Sequence, residues 1–185
     1  WIMAKVDFLL KSNISNIEVA QLAAVKQEYF ELLKENSFPT PPVSGNFCEM
    51  LNYFKRKDEN NPKSIGPYRN ITPFEAANRI ASDLVIINGL LQLIENRKIE
   101  KPVLTLRLGT THVKGKGDFT IKLGEEEFEG EAFNVAPSFL KAKLDKTLNK
   151  WKDKELAYIL VNEDSFKNLE FEGFDRRVFK VKHWN

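Results

Sequence analysis

Asp118 and Glu131 are the two residues of this chain whose type and spacing best suit chemistry. One short hairpin separates them, so neighbouring strands would bring their carboxylates side by side. Such a pair makes a cage for a hard divalent cation, which polarises a phosphoryl oxygen and lowers the pKa of water. Glu129 lies one pleat from Glu131 on the same strand face and is a candidate further ligand. Glu131 is set between Gly130 and Ala132 and leads into Phe133 and Val135, where an acid needs a partner to be tolerated. Glu125, Glu126 and Glu127 read instead as solubilising charges on an exposed hairpin. For Asp118 the humbler alternative is a turn residue after Gly117.

Basic residues crowd around this pair. From Lys101 to Lys122 there are five cations (Lys101, Arg107, Lys114, Lys116, Lys122) against one acid, and from Phe139 to Trp151 four (Lys141, Lys143, Lys146, Lys150) against one. These are either phosphate-binding surfaces or two solvated faces. The loop Gly109–Gly117, with Thr110, Thr111, His112, Lys114 and Lys116, suits phosphate contact, but it has no G-K-[ST] element and reads equally well as a soluble hairpin. His112 is a weak general-base candidate and His183 a weaker one.

The elements that must position these residues are legible from periodicity. Ser15 reads as a helix cap, with Glu18 completing a capping box and Ile14 and Val19 spaced for a staple. Ser37 to Pro42 is a rigid connector, Asn46 to about Lys55 a short helix, and Arg56 to Asn70 a polar loop. Thr72-Pro73 with Glu75 opens the clearest helix, apolar on more than one side and expected to lie between a sheet and the N-terminal helices. Three strand runs follow, Val103–Leu108, Asp118–Leu123 and Glu127–Val135. A helix from Pro137-Ser138 buries Leu140, Leu144, Leu148 and Trp151. Leu156–Val161 then reads as an interior strand and Arg177–Lys182 as an edge strand blunted by lysines. The expected organisation is an N-terminal helical subdomain (1–70) and an α/β core (71–185).

Composition narrows the alternatives. The chain has 185 residues, 42% of them hydrophobic, enough for one good core, and its net charge of +2 does not demand a polyanionic partner. One cysteine, Cys48, excludes an intrachain disulfide framework and multi-thiolate zinc, and its apolar neighbours suggest a buried position. No apolar run is long enough to span a membrane and no signal-peptide pattern opens the chain, so no membrane partner and a cytoplasmic location are expected. The G-x-S-x-G, H-E-x-x-H and dinucleotide-binding patterns are absent. Phe171, Phe174 and Trp184 near the basic C-terminal segment are weak candidates for base stacking, with packing the plainer role.

The order helix, three strands, helix, strand, with Gly117-Asp118-Phe119 opening strand two and Glu131-Ala132-Phe133 closing strand three, resembles the PD-(D/E)xK nuclease superfamily. The resemblance covers about residues 71–161. It implies a restriction-endonuclease-like αβββαβ core of α/β (α+β) class with a mixed central sheet. It also implies that Asp118 and Glu131 hold Mg²⁺ (Mn²⁺ substituting) for in-line attack on a phosphodiester. Phe133 stands where the family carries a lysine. Some members recruit that amine from the following helix, which here offers Lys141, the preferred candidate in the first turn, and Lys143. The function implied is a Mg²⁺-dependent endonuclease acting on DNA in restriction or defence. Lys141 would stabilise phosphorane charge, and Lys114, Lys116 and Lys143 would contact the backbone. The rival reading is a catalytically inactive module that binds nucleic acid or a protein through the same face. Cutting both strands of a duplex would call for a two-fold homodimer built on the N-terminal helices.

Overall fold

The computed structural model describes residues 6–57, 63–167, 169 and 174–182. Its elements are β1 (Asp7–Phe8), β2 (Asn13–Ile17), α1 (Val19–Glu35), α2 (Phe47–Lys55), β3 (Tyr68–Arg69) and α3 (Pro73–Arg97). These are followed by β4 (Val103–Arg107), β5 (Phe119–Leu123), β6 (Glu126–Phe133), α4 (Pro137–Lys150), β7 (Leu156–Asn162) and β8 (Val178–Val181). The described chain is thus a mixed α/β protein with four helices and a mixed six-stranded sheet of order β2-β4-β5-β6-β7-β8. The β2-β4-β5-β6 half is antiparallel, while β6-β7-β8 is parallel. His183, Phe171 and Trp184 lie outside the described residues, whereas Phe174 packs edge-on against Phe166.

The long helix α3 covers one face of the sheet. Its start follows the sequence signal: Thr72 Oγ1 accepts from Glu75 N at 3.2 Å, and Glu75 Oε2 accepts from Thr72 N at 3.4 Å. Gly89 is where it comes closest to the strands. A Cβ there would sit 2.9 Å from both Leu160 Cδ1 and Val181 Cγ2, so any larger residue would have to push these side chains aside. Leu104, Leu106, Phe119, Ile121 and Leu160 face α3, and α1 adds Leu22 and Tyr29 to the same core. That core draws on both sides of residue 70, since β2 and α1 precede it. On the opposite face α4 covers Phe133, Leu156, Ile159 and Val161.

Two local expectations are corrected. Ser15 does not cap a helix, because residues 13–17 form β2, and Glu18 becomes the cap, with Gln21 Oε1 accepting from its N–H at 2.9 Å. The free edge of β4 wins this contest: Ile14 pairs with Leu106 and Ile17 with Leu104, and the register shift between them is taken up where Asn16 adopts φ 57°. Cys48 is exposed rather than buried, because α2 buries none of its residues and leaves Phe47, Leu51 and Phe54 open to solvent.

A buried acid ties the N-terminal elements to the sheet. Asp83, in the middle of α3 and only 2% exposed, accepts from Tyr29 Oη at 2.8 Å, Tyr68 Oη at 2.5 Å and Gly109 N at 3.0 Å. Burial pushes its pKa up to about 6, against the opposing pull of those three donors and of the Arg79 charge. The folded protein therefore keeps a proton that the unfolded chain has released between about pH 4 and pH 6. The resulting stabilisation is full below the unfolded pKa and is lost as pH rises through about 6, a swing on the order of 3 kcal/mol. Thermal melts from about pH 7 down to pH 5 are expected to show the native chain gaining stability relative to Asp83→Asn. Parallel pH profiles for the two would refute the assignment.

Candidate active site

Asp118 and Glu131 meet on the α4 side of the sheet. Phe119 and Gly130 form the last pair of the β5–β6 ladder, and Asp118 N donates to Gly130 O at 2.8 Å just beyond it. The Asp118 side chain reaches further along β6, where Oδ2 accepts from Ala132 N at 2.8 Å. This double attachment brings its carboxyl near enough to that of Glu131 for the two to interact. Two carboxyl groups this close repel when both are ionised, so a proton or a cation at the pair is favoured. Burial and the Glu131 charge accordingly raise the Asp118 pKa, with the Ala132 N–H and the nearby His112 charge acting the other way.

Glu131 is held from the helix side. Its Oε1 accepts from Lys150 Nζ at 2.7 Å and from Trp151 Nε1 at 2.7 Å, and its side chain is only 12% exposed. Trp151 is buried under α4, so the indole fixes the carboxylate while the half-exposed Lys150 supplies a mobile amine.

The amine at the acid pair is thus Lys150, a residue that reasoning from the sequence passed over in favour of Lys141. Between the parallel strands β6 and β7, α4 must return antiparallel to β6. Lys143 and Lys150 are seven residues apart and share a helix face. Lys143 meets Phe133, its Nζ 5.1 Å from the ring centroid, and two turns later Lys150 meets Glu131. Lys141 is exposed in the first turn, about 13 Å along the axis from Lys150. The signal available in the sequence was that heptad spacing beside the buried Leu144 and Trp151.

Glu129 shares the face but turns to other partners. Lys116 Nζ lies 2.9 Å and Arg107 Nη1 3.3 Å from its oxygens, and Thr120 and the Gly117 N–H donate to it as well. These donors and charges hold its pKa low in spite of burial. Lys116 is further shared with Glu127 at 3.5 Å. Lys114 and His112 are exposed in the β4–β5 loop, and a Cβ at Gly115 of that loop would lie 3.6 Å from Lys154 Nζ. Lys154 and Lys150 both lie near the Trp151 ring, at 5.7 and 5.0 Å. Lys150 thus sits on Glu131 and His112 near Asp118, while Lys154 lies by Trp151 and Gly115, next in the chain to Lys114.

Among the described residues no group of three or more His, Cys, Asp or Glu is arranged to hold a metal ion. The acid pair itself suits one, because crowded carboxyl groups that hold on to a proton are relieved by a cation. No described helix is long and apolar enough to cross a membrane. Comparison of the chain with protein-family models, with curated proteins and with solved structures gives no match.

Proposed function

We propose that this chain is a Mg²⁺-dependent nuclease hydrolysing phosphodiester bonds, with DNA as the substrate and Mn²⁺ an effective substitute. The observation that carries the reading is the convergence of Asp118 and Glu131, each pinned by its own partner and near enough to interact, with the Lys150 amine 2.7 Å from Glu131. The succession α3-β4-β5-β6-α4-β7 matches the αβββαβ order of the restriction-endonuclease-like core and supports it. Lys150 then replaces the amine absent at Phe133, reaching the acids from the helix instead of the strand.

Asp118 and Glu131 would hold the cation, whose contribution is Lewis-acid polarisation of the phosphate and activation of water. The protein's own groups do the rest. The Ala132 N–H and Trp151 indole fix the two carboxyls, Lys150 offers positive charge to a phosphoryl oxygen, and Lys114 and Lys154 are free to meet flanking phosphates. Incubation with plasmid, single-stranded DNA and RNA, with and without Mn²⁺ and EDTA, tests the reading. Degradation of DNA that EDTA stops is the expected result, and no cleavage of any substrate would refute it. Lys150→Ala is expected to lower the rate by roughly 10²- to 10³-fold, the usual cost of removing one transition-state charge. Lys141→Ala should leave it within about threefold in the same assay, and the reverse ranking would return the role to Lys141.

One observation favours a second reading, a non-catalytic module on the same scaffold. Lys150 and Trp151 already satisfy one oxygen of Glu131, and only two side-chain ligands converge among the described residues. Calorimetric titration separates the two, because a module would show no Mn²⁺ binding that depends on Asp118. Duplex cutting would also call for a two-fold dimer, for which exposed Phe47, Leu51 and Phe54 of α2 offer an apolar face. Sedimentation at increasing concentration would detect it.

A further inference from the structure

We infer that Arg107 and Glu129 are positioning residues, a buried pair that sets Asp118 against Glu131 by clamping the peptide groups just before it. This inference rests on the metal-dependent reading above and adds two residues which that reading does not use.

The clamp works on both polar groups of Gly117. Glu129 Oε2 accepts from Gly117 N at 2.9 Å, and Arg107 Nη1 donates to Gly117 O at 2.9 Å. The same Arg107 nitrogen lies 3.3 Å from Glu129 Oε2, so one ion pair grips the residue at both ends. Thr120 ties the pair to β5, accepting from Arg107 Nη2 at 2.8 Å and donating to Glu129 Oε1 at 3.1 Å. The main chain of Arg107 joins in, its N–H donating to Asp118 O at 3.0 Å. The peptide between Gly117 and Asp118 is therefore fixed at its oxygen by Arg107 and at its N–H by Gly130 O.

The packing around that peptide leaves no room for a side chain. A Cβ at Gly117 would fall 2.1 Å from Gly130 O, and one at Gly130 would fall 2.0 Å from Phe119 Cζ. The two glycines press β5 and β6 together where the acids must meet. Arg107 and Glu129 are 6% and 8% exposed, and a pair so buried is no more stabilising as a rule than apolar residues of the same volume. Both oxygens of Glu129 are engaged within this group, Oε2 by Gly117 N and Arg107 and Oε1 by Thr120 and Lys116, and none of these partners is Asp118.

A group acting through another changes the geometry of the acid pair without touching substrate. Arg107→Met keeps the unbranched apolar stem of the side chain but removes the donors to Gly117 O and Thr120. Because it leaves Glu129 without its arginine, the double variant Arg107→Met/Glu129→Gln serves as the partner, removing both buried charges at once. Cooperative thermal melts establish which variants fold. Mn²⁺ affinity is then read by electron paramagnetic resonance, and kcat and KM on a DNA substrate are read separately. Weakening of Mn²⁺ binding by roughly 10- to 100-fold, the usual loss when a group orienting a ligand is removed, is expected in each folded variant. A fall in kcat at nearly constant KM should accompany it. A folded variant that binds Mn²⁺ as the native chain does, with unchanged kcat, overturns the inference while leaving the acid pair in place. If instead the native chain and Asp118→Asn bind Mn²⁺ equally, the metal-dependent reading fails first and carries this inference with it.

Discussion

Asp118→Asn and Glu131→Gln will each abolish Mg²⁺-dependent DNA cleavage, lowering the rate by at least about 10³-fold, while both proteins remain folded. In the first variant the introduced amide keeps an oxygen for the Ala132 N–H, so the 2.8 Å attachment to β6 survives. What disappears is the second negative charge next to Glu131, and with it the reason for a divalent cation to bind there. The apo proteins should move the opposite way in stability. Burial and Glu131 raise the Asp118 pKa, so at neutral pH its ionised form works against folding. Asp118→Asn is therefore expected to melt higher than the native chain in EDTA, a stability gained where function is lost. Cleavage assays at equal protein concentration and melts in EDTA check both halves. Full activity in either variant would sink the site assignment.

Asp83→Ala will cost the fold about 3 to 5 kcal/mol, because it strands three donors that lose their acceptor together. Tyr29 and Tyr68 are fully buried, and burial together with the Asp83 charge keeps both hydroxyls protonated as donors. Without the carboxylate they have no water to turn to, and the Gly109 N–H loses its bond as well. A domain of this kind is stable by only about 5 to 15 kcal/mol, so such a loss would be plain in a urea titration. Asp83→Asn should cost less, since its one amide oxygen can still accept from Tyr29 and Tyr68 and only the Gly109 N–H then loses its acceptor. A midpoint for Asp83→Ala close to the native one would show that these contacts do not hold the N-terminal elements to the sheet.

The same residues show how far local reading carries. Thr72-Pro73 with Glu75, and the alternation of β5 and β6, are written in short stretches of chain, and the helix and strands formed within a residue or two of their expected ends. Ser15 misled because its capping signal is also local, while the unpaired edge of β4 that claims residues 13–17 lies far along the chain, at residues 103–107. Asp83 carries no local signal, since Tyr29, Tyr68 and Gly109 come from three distant segments. Lys141 was chosen by nearness in sequence to strand three, whereas the reach of an amine depends on which helix face it occupies and which way the helix runs.

Local sequence was enough for the succession of elements, for the strand face shared by Glu129, Glu131 and Phe133, and for the placing of Asp118 and Glu131 on adjoining strands. Period and capping are properties of neighbouring residues, and a two-residue repeat assigns faces without any partner. Folding in three dimensions was needed for Asp118 to lean on Ala132 and come near Glu131, for Glu129 to turn to Arg107, and for Lys150 to close on Glu131. Those choices depend on charges and donors brought together from β4, β5, β6 and the end of α4. Their energies arise only once the sheet and helix have excluded water from between them.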